Sequence, residues 1–569
     1  MYILGINAFH ADSSAALLFN GEIVCATEEE RFTRKKHWAG LPIKSIEFCL
    51  SSRNLKMNDI SCICIGRDPK AKFFNKLKFM AKNIKPSISM FKQRFVNRSD
   101  LNSLGGIIKS HFGFCPKLNF IEHHRAHLAS AFFSSSFEEA TLISIDGSGD
   151  FSTIMIGRGV ANKIEILESQ DFPVSIGLFY TAFTQFLGFP YYGDEYKVMG
   201  LSPYGSPDYL KEMRSIIWSG DKNILEWDST FFDFNKGVVS YIDNIPNVSQ
   251  LFDKINFEKL FGVKRSKNEE INQRHKNIAS SLQMRTEELI FEIIERAFKQ
   301  TGISNLCIAG GVAQNSVVNG KILNNTSIKE IYIPSAGHDA GISMGASQYH
   351  YFHNLDNKRI AALYNANLGI SFSNEKIKEI IEGLGLSYKY LEDDTLFKYV
   401  AKAISNNNVI GFFDGKAEFG PRALGSRSIL ADPRNSKAQQ LLNEKIKKRE
   451  SFRPFAPSIL EDYGEEYFKN YQFTPFMERV LPIRKEKQKL IPAVTHVDGS
   501  GRLHSVSKEL RPRYYKLILE FYNITGIPIL INTSFNENEP VVNIPEEAID
   551  CYLRTDMDML VIGNYILEK

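Results

Sequence analysis

The sequence predicts an α/β protein whose N-terminal half is duplicated and followed by a second α/β domain, on three observations. Residues 1–30 and 141–168 share one order of apolar runs and turns, and 305–322 runs from a short apolar strand through Gly310-Gly311 into a helix. A new helical pattern, SNEKIKEIIEGL, begins after a loosened stretch at 352–372, which places a domain boundary there. At 569 residues, with 43% hydrophobic, 24% charged and 12% aromatic side chains, the chain has globular composition and is too long for one core. Length alone points to about three or four units. A net charge of +4 excludes the global field of a dedicated nucleic-acid binder, so any anion specificity is local.

In the first copy YILGINAF, AALLF and EIVCATEEE read as strands, joined by the polar turn HADSS and the two-residue turn Asn20-Gly21. The second copy repeats this grammar in TLISI, DGSGD, FSTIMIGRG, VANK and IEILES. Each opens with a strand ending in a turn of small residues and Asp, where backbone N–H groups can face a phosphate. In NLCIAGGVAQNSVVNGKI the glycines let main chain approach a ligand, and the next helix N-terminus favours an anion. An ordinary strand-to-helix turn is the alternative. Two such meanders followed by a Gly-Gly turn resemble the actin-like ATPase superfamily of sugar kinases and chaperones.

In FIEHHRAHLASAFF a strand gives way to a helix, and His123 and His127, four apart, project from one face. That spacing suits a divalent ion, with Asp146 and Asp339 as candidates to complete an N2O2 set that admits Fe(II), Zn(II) or Mn(II). The alternative is a buried histidine pair satisfied by core carbonyls; His124 faces away as a decoy or a substrate contact. Cys25, Cys49, Cys62, Cys64, Cys115, Cys307 and Cys551 lack the C-x2-C spacing of a zinc site and read as core thiols. A basic run (Arg67, Lys70, Lys72, Lys76, Lys78, Lys82, Lys85, Lys92, Arg94, Arg98) reads as a solvated helical face, with an anionic acceptor or membrane surface as the lesser reading. The start has no signal-peptide pattern and no stretch approaches the roughly 20 apolar residues of a membrane span, so no integral membrane segment and a cytoplasmic location are expected.

HxxxH at His123 and His127, GDEYKVMGLSPYG (193–205), GGVAQN (310–315) and GHDAG (337–341) are similar to the Kae1-like domain of tRNA threonylcarbamoyl-transfer enzymes, and TEEERFTRKKH (27–37) resembles the N-terminal signature of the NodU/CmcH-type O-carbamoyltransferases. DGKAEFGPRALGSRSILADPR (414–434), IKKRESFRPFAPSIL (446–460) and LINTSFNENEPVV (530–542) resemble the YrdC-like C-terminal domain of the latter family. The resemblance implies a duplicated actin-like, Kae1-like domain over 1–360 and an α/β YrdC-like domain over 375–569. It implies an enzyme that converts carbamoyl phosphate and ATP, with Mg2+, into carbamoyl adenylate, and delivers the carbamoyl group to a hydroxyl. The family's metal ligands, Fe2+ by resemblance, fall on His123, His127, Asp146 and Asp339. Its N-terminal nucleotide loops fall on Asp146, Gly147, Ser148 and Gly149 and on Gly310, Gly311 and Asn315. Many relatives have His directly before Asp in the first loop, whereas Ala11 separates His10 from Asp12 here.

The chemistry agrees with these residue types. Arg422, Arg427, Arg434, Lys447, Arg449 and Arg453 stand among glycines, prolines and aromatics, and several fixed cations are needed where a triphosphate meets carbamoyl phosphate. A solvated basic face is the bland alternative. Asn532, Thr533, Ser534 and Asn536 offer amide and hydroxyl groups for a nucleotide or the carbamoyl amide, and His496 and Arg502 join them on family grounds. An acceptor hydroxyl needs a base or a Lewis acid, and His10 or Asp12 is the candidate to take its proton; a capping turn is the alternative. Expected partners are a small-molecule or sugar acceptor and no nucleic acid, with a homodimer left open. Rival readings are an actin-like sugar kinase, a non-catalytic nucleotide sensor or scaffold, and a tRNA-modifying enzyme. The kinase leaves 375–569 and the histidines without work.

Overall fold

The three apolar runs of the first thirty residues form β1 (Tyr2–Asn7), β2 (Ser14–Phe19) and β3 (Glu22–Glu28), an antiparallel meander. Asn20 and Gly21 both take positive φ, 50° and 94°, the turn whose twist matches a tight hairpin. On the other side of β1 lie β4 (Ile60–Ile65) and β5 (Lys117–Phe120), both parallel to it, in the order β3-β2-β1-β4-β5. The second meander is β6 (Glu139–Gly149), β7 (Ser152–Val160) and β8 (Lys163–Asp171). Two short hairpins follow, β9 (Ile217–Ser219) with β10 (Leu225–Trp227) and β11 (Val239–Ile242) with β12 (Ile245–Val248). Then β13 (Asn305–Ala309) and β14 (Glu330–Tyr332) add in parallel beside β6, giving the order β14-β13-β6-β7-β8. Strand for strand the second sheet repeats the first, so the repeated grammar of the sequence is a repeated topology.

These observations come from a computed structural model that describes residues 1–82, 101, 103–234, 237–360, 362–450 and 452–569. The chain divides into two compact units, Met1–Val318 with Ile322–Ala362, and Leu363–Lys569 with Asn319–Lys321. In the first unit Leu4 and Ile6 of β1 and Ile63 and Ile65 of β4 pack with Ile46 and Leu50 of the helix Ile43–Ser51. Each such side chain contributes about 1.5–3 kcal/mol on burial. The helix Ile342–Gln348 packs closely on the helix His123–Phe132, because at Gly345 a Cβ would meet the Ala126 carbonyl oxygen at 1.9 Å. Any side chain at Gly345 would push apart the two segments that carry His123, His127 and Asp339.

The second unit holds one nine-stranded mixed sheet. Its strands are β15 (Lys389–Tyr390), β16 (Ile410–Phe413), β17 (Arg427–Ala431), β18 (Ala456–Leu460), β19 (Arg479–Pro482), β20 (Ser500–Val506), β21 (Ile529–Ser534), β22 (Met559–Ile562) and β23 (Tyr565–Glu568). They lie in the order β15-β23-β22-β16-β17-β21-β18-β20-β19. The helix expected in SNEKIKEIIEGL is Asn374–Gly383, opened by Ser373, whose Oγ accepts from the Lys376 N–H at 3.3 Å. The helices Asp393–Ser405 and Pro512–Thr525 bury Leu396, Val400, Leu517 and Phe521 in the same core as Ile429, Leu503 and Ile531.

All seven cysteines are free, and all but Cys115 are buried. In the basic run Lys72 pairs with Asp171 at 2.7 Å and Arg67 donates to the Phe9 carbonyl at 2.8 Å, so these two are structural ties. Lys85, Lys92, Arg94 and Arg98 lie outside the described residues. Among the described residues no helix is long and apolar enough to cross a membrane.

Candidate functional site

The HxxxH motif opens the helix His123–Phe132, which starts at Glu122, whose carboxylate accepts from the Arg125 N–H at 2.9 Å. Nearly every residue of this helix is buried, and Ala126, Ala129, Ser130 and Ala131 keep it slim enough to pack between the second sheet and the helix Ile342–Gln348. The four-residue spacing brings the two imidazole Nε2 atoms within 3.1 Å of each other. Asp146, on β6, sets Oδ2 at 3.1 Å from His123 Nε2 and 3.7 Å from His127 Nε2. Asp339, in the turn before the helix Ile342–Gln348, sets Oδ1 at 3.5 and 3.4 Å from the same two atoms. An ion bound tetrahedrally at about 2.1 Å needs its donors about 3.4 Å apart, which is the spacing present. Asp339 Oδ1 has no hydrogen-bond partner although it is buried, so the set fits a divalent cation better than a pair satisfied by carbonyls.

The electrostatics agree. Burial opposes charge on His127, yet the carboxylates of Asp146 and Asp339 outweigh it and hold the imidazole up at about 9. Burial and mutual repulsion push Asp339 up, but His10 and His127 hold it below the usual carboxylate range. A cation would replace the proton these carboxylates otherwise keep on the imidazole. His10 Nδ1 lies 2.7 Å from Asp339 Oδ2, so His10 belongs to this cluster. His124 does not: its Nδ1 meets Ser144 Oγ at 2.8 Å, and burial drives its pKa down to about 3, which keeps it neutral.

The glycine loops act on Asp146. The Gly147 and Gly311 N–H groups donate to Asp146 Oδ1 at 2.8 and 3.2 Å, which leaves Oδ2 for the histidines. Gly310 makes this turn with φ of +100°, where a Cβ would strike the Ile145 carbonyl oxygen at 2.1 Å. Ser148 sits at the half-buried end of β6, and Gly149 lies against His123, whose ring a Cβ there would meet at 2.0 Å.

In the second unit Arg502 on β20 is the centre of a cluster of guanidinium groups. Burial, then Arg422, Arg449 and Arg453, hold its pKa well below the usual arginine value, and its Nε is buried without a hydrogen-bond partner. Asn443 fixes two of these neighbours, accepting from Arg449 Nε at 2.7 Å and donating to the Arg453 carbonyl at 3.2 Å. His496 lies beside Arg502; burial lowers its pKa to about 4, and its buried Nε2 has no partner. Like charges held together in a partly buried place call for an anion.

The N-terminal part of the chain, 2–348, matches the family model described as Carbamoyltransferase N-terminus, and 401–569 matches Carbamoyltransferase C-terminus. The chain belongs to the carbamoyltransferase family. An uncharacterized protein of Synechocystis sp. is 38% identical over 100% of this chain and 97% of its own length. Nodulation protein NolNO of Sinorhizobium fredii is 34% identical over 99% of the chain and 80% of its own length. NolO of Bradyrhizobium diazoefficiens is 36% identical over 79% of each. Among solved structures, HypF of T. kodakarensis aligns with 62% of this chain and 48% of its own at 13% identity, with a TM-score of 0.33, too low to bear on the chemistry.

Several residues expected in this carbamoyltransferase's sites have other duties. Asp12 is not a free base: its Oδ1 pairs with His37 Nδ1 at 2.7 Å, and although burial opposes it, His37 keeps the carboxyl below its ordinary value. Asn315 caps the helix Ser316–Asn325 through Val318 N–H and exchanges two hydrogen bonds with Gln283, at 3.0 and 3.2 Å, so its amide is occupied. Arg427 is fully buried, with Nη1 on the carbonyls of Asp414, Gly415 and Ser426 at 3.1–3.2 Å and its guanidinium 3.6 Å over Phe413. It braces the sheet. Lys447 Nζ donates to the Asn536 Oδ1 and carbonyl at 2.6 and 2.8 Å, and Ser534 Oγ donates to the same Oδ1 at 2.8 Å, so these three tie one loop together. Asn532 is buried on Ser458 Oγ and the Ala423 carbonyl, and Arg434 is neutralised by Asp432 at 2.6 Å.

His37 and Asn443 are the residues that the motifs did not single out. His37 ends the quoted string TEEERFTRKKH, but nothing local marks its pairing with Asp12. Asn443 carries no sequence signal beyond lying before the basic KIKKR run.

Proposed function

We propose that the carbamoyltransferase is an ATP-dependent O-carbamoyltransferase, in which a YrdC-like domain (375–569) makes carbamoyl adenylate and a Kae1-like, actin-like domain (1–360) passes the carbamoyl group to a hydroxyl. The observation that carries this reading is Arg502, buried among Arg422, Arg449 and Arg453. Fixed guanidinium groups offset the repulsion between a triphosphate and carbamoyl phosphate and cost no reorganisation as charge moves. Water first releases phosphate from carbamoyl phosphate to leave carbamate, whose oxygen then attacks the α-phosphorus of ATP, with Mg2+, and expels pyrophosphate to give the mixed anhydride. His496, neutral beside Arg502, suits the uncharged carbamoyl amide.

In the first unit His123, His127, Asp146 and Asp339 would hold the divalent ion, Fe2+ by resemblance. When bound, the ion supplies a Lewis acid for an acyl or phosphoryl oxygen. His10, held by Asp339 at 2.7 Å, takes the proton of the acceptor hydroxyl. The Asp12–His37 pair fixes the loop beneath it. The acceptor is a small molecule or a sugar. A sugar kinase would leave the arginine cluster of the second unit without a substrate.

The test is incubation with ATP and carbamoyl phosphate, with and without a panel of glycans and hydroxylated metabolites. Carbamoyl-phosphate-dependent release of pyrophosphate, and an acceptor heavier by one carbamoyl group, are the expected results. Acceptor phosphorylation independent of carbamoyl phosphate would sink the reading.

A further inference from the structure

A second cluster of metal-ligand type shares no residue with the histidine–carboxylate set and takes no part in the chemistry above. Cys62 and Cys64 stand two apart on β4, so both thiols leave one face of the strand, while Ile63 and Ile65 point into the core on the other. Opposite them is His350, in the turn of helix Tyr349–Asn354 that ends the long run from Asp339. One donor atom from each of the three lies within 4.8 Å of the other two. Asn119, level with Cys64 on the neighbouring β5, places its side-chain amide 3.4 Å from His350 Nε2. Cys62 and Cys64 are 6% and 0% exposed, and His350 is half-buried, so the cluster is closed on the strand side and reachable from the other.

Two thiols on a strand can serve as an oxidisable pair or as a chelate, and the backbone decides between them. Residues two apart on a strand have Cα atoms about 6.6 Å apart. That is the upper end of what a disulfide spans, and β4 is pinned by β1 on one side and β5 on the other, so it cannot pucker to close one. The thiols are therefore held side by side without bonding.

We propose that Cys62, Cys64 and His350 bind a zinc-type divalent ion, with Asn119 or a water as the fourth donor. Binding releases the thiol protons, and two thiolates with one divalent ion leave the buried site neutral. The ion joins the middle of the first sheet to the last helical turn of its unit.

The full-length protein, stripped of metal and reduced, is titrated with Co2+ alone. A sulfur-to-cobalt charge-transfer band that saturates within about two equivalents, the histidine–carboxylate set taking its own cobalt, is expected, because thiolate ligation gives the band and an imidazole–carboxylate set does not. Zinc should bleach the band. Cys62→Ser should abolish it, His350→Asn should weaken cobalt affinity by about tenfold or more, and His127→Ala should leave it intact. His350→Asn, at a half-buried position, keeps the test open if Cys62→Ser fails to fold, with far-ultraviolet circular dichroism as the check on each variant. A wild-type titration without the band, or a band unchanged in a folded His350→Asn or Cys62→Ser protein, overturns the site.

Discussion

In the N-terminal unit two imidazoles face two carboxylates across 3.1–3.7 Å, and the carboxylates hold His127 in its charged form. In the C-terminal unit Arg502 faces Arg422, Arg449 and Arg453, and like charges sit together against their own preference. The first cluster, once its proton is displaced, is complementary to a cation; the second is complementary to a polyanion. The proposed reaction, which starts from phosphoanhydrides and ends on an alcohol, would use both.

The sharpest way to break that comparison is Arg502→Ala. Carbamoyl-phosphate-dependent pyrophosphate release should fall by about 10²–10³-fold, as for removal of a preorganised charge contact. The same variant should melt no lower than wild type without ligand, since a buried, repelled cation has been deleted. A variant that melts lower, with activity retained, would make Arg502 a structural residue. His127→Ala comes next. It should strip the divalent ion and lower transfer to the acceptor by about 10²-fold or more while pyrophosphate release stays near wild type. If both activities fall together, the two clusters do not divide the chemistry.

How far these clusters were legible in the sequence follows from how local their determinants are. The hairpin at Asn20-Gly21 and the repeated meander are set by turn chemistry and strand period within thirty residues, and both folded as read. The HxxxH pair was legible because i and i+4 share a helix face. Asp146 and Asp339 were candidates from their places, at the end of the duplicated strand and in the turn SAGHDAG, but their association with His123 spans long stretches of chain, and the resemblance named them as ligands. Arg427 shows the limit: by composition it is indistinguishable from Arg422, yet it stands opposite Phe413 in the β16–β17 register, and that neighbour buries it. Cys62, Cys64 and His350 were missed because their association spans nearly three hundred residues and C-x-C is no motif on its own.

Smaller effects refine the N-terminal side. His10→Gln should slow transfer by about 10–10²-fold, with pyrophosphate release and bound metal unchanged, if His10 is the proton acceptor held by Asp339. A loss of metal in the same variant would recast it as a residue that merely positions Asp339. The Asp12–His37 pair has a pH signature in the metal-free protein. Burial lowers the His37 pKa, but Asp12 outweighs it and raises the imidazole from 6.5 to about 9. A folded pKa above the unfolded one means that the pair stabilises the fold fully below about pH 6.5, and that this stability disappears as pH rises through about 9. With His37 about one-third exposed, screening leaves about 1 kcal/mol. His37→Asn should flatten that part of the melting-temperature profile without touching the arginine cluster.

Arg434→Gln should have the smallest effect on chemistry, and for that reason it is the control on the C-terminal side. Arg434 lies in the same basic segment as Arg422, but its guanidinium is matched by Asp432 at 2.6 Å and stacks over Phe521 at 5.5 Å. A cation already neutralised adds little to the field felt by an incoming phosphate, so pyrophosphate release should stay within about twofold of wild type. Stability should fall instead, because Asp432 is left buried without its partner. If Arg434→Gln were to impair pyrophosphate release as severely as Arg502→Ala, total basic charge rather than the charge gathered around Arg502 would govern the donor reaction, and the contrast between the two clusters would lose its C-terminal half.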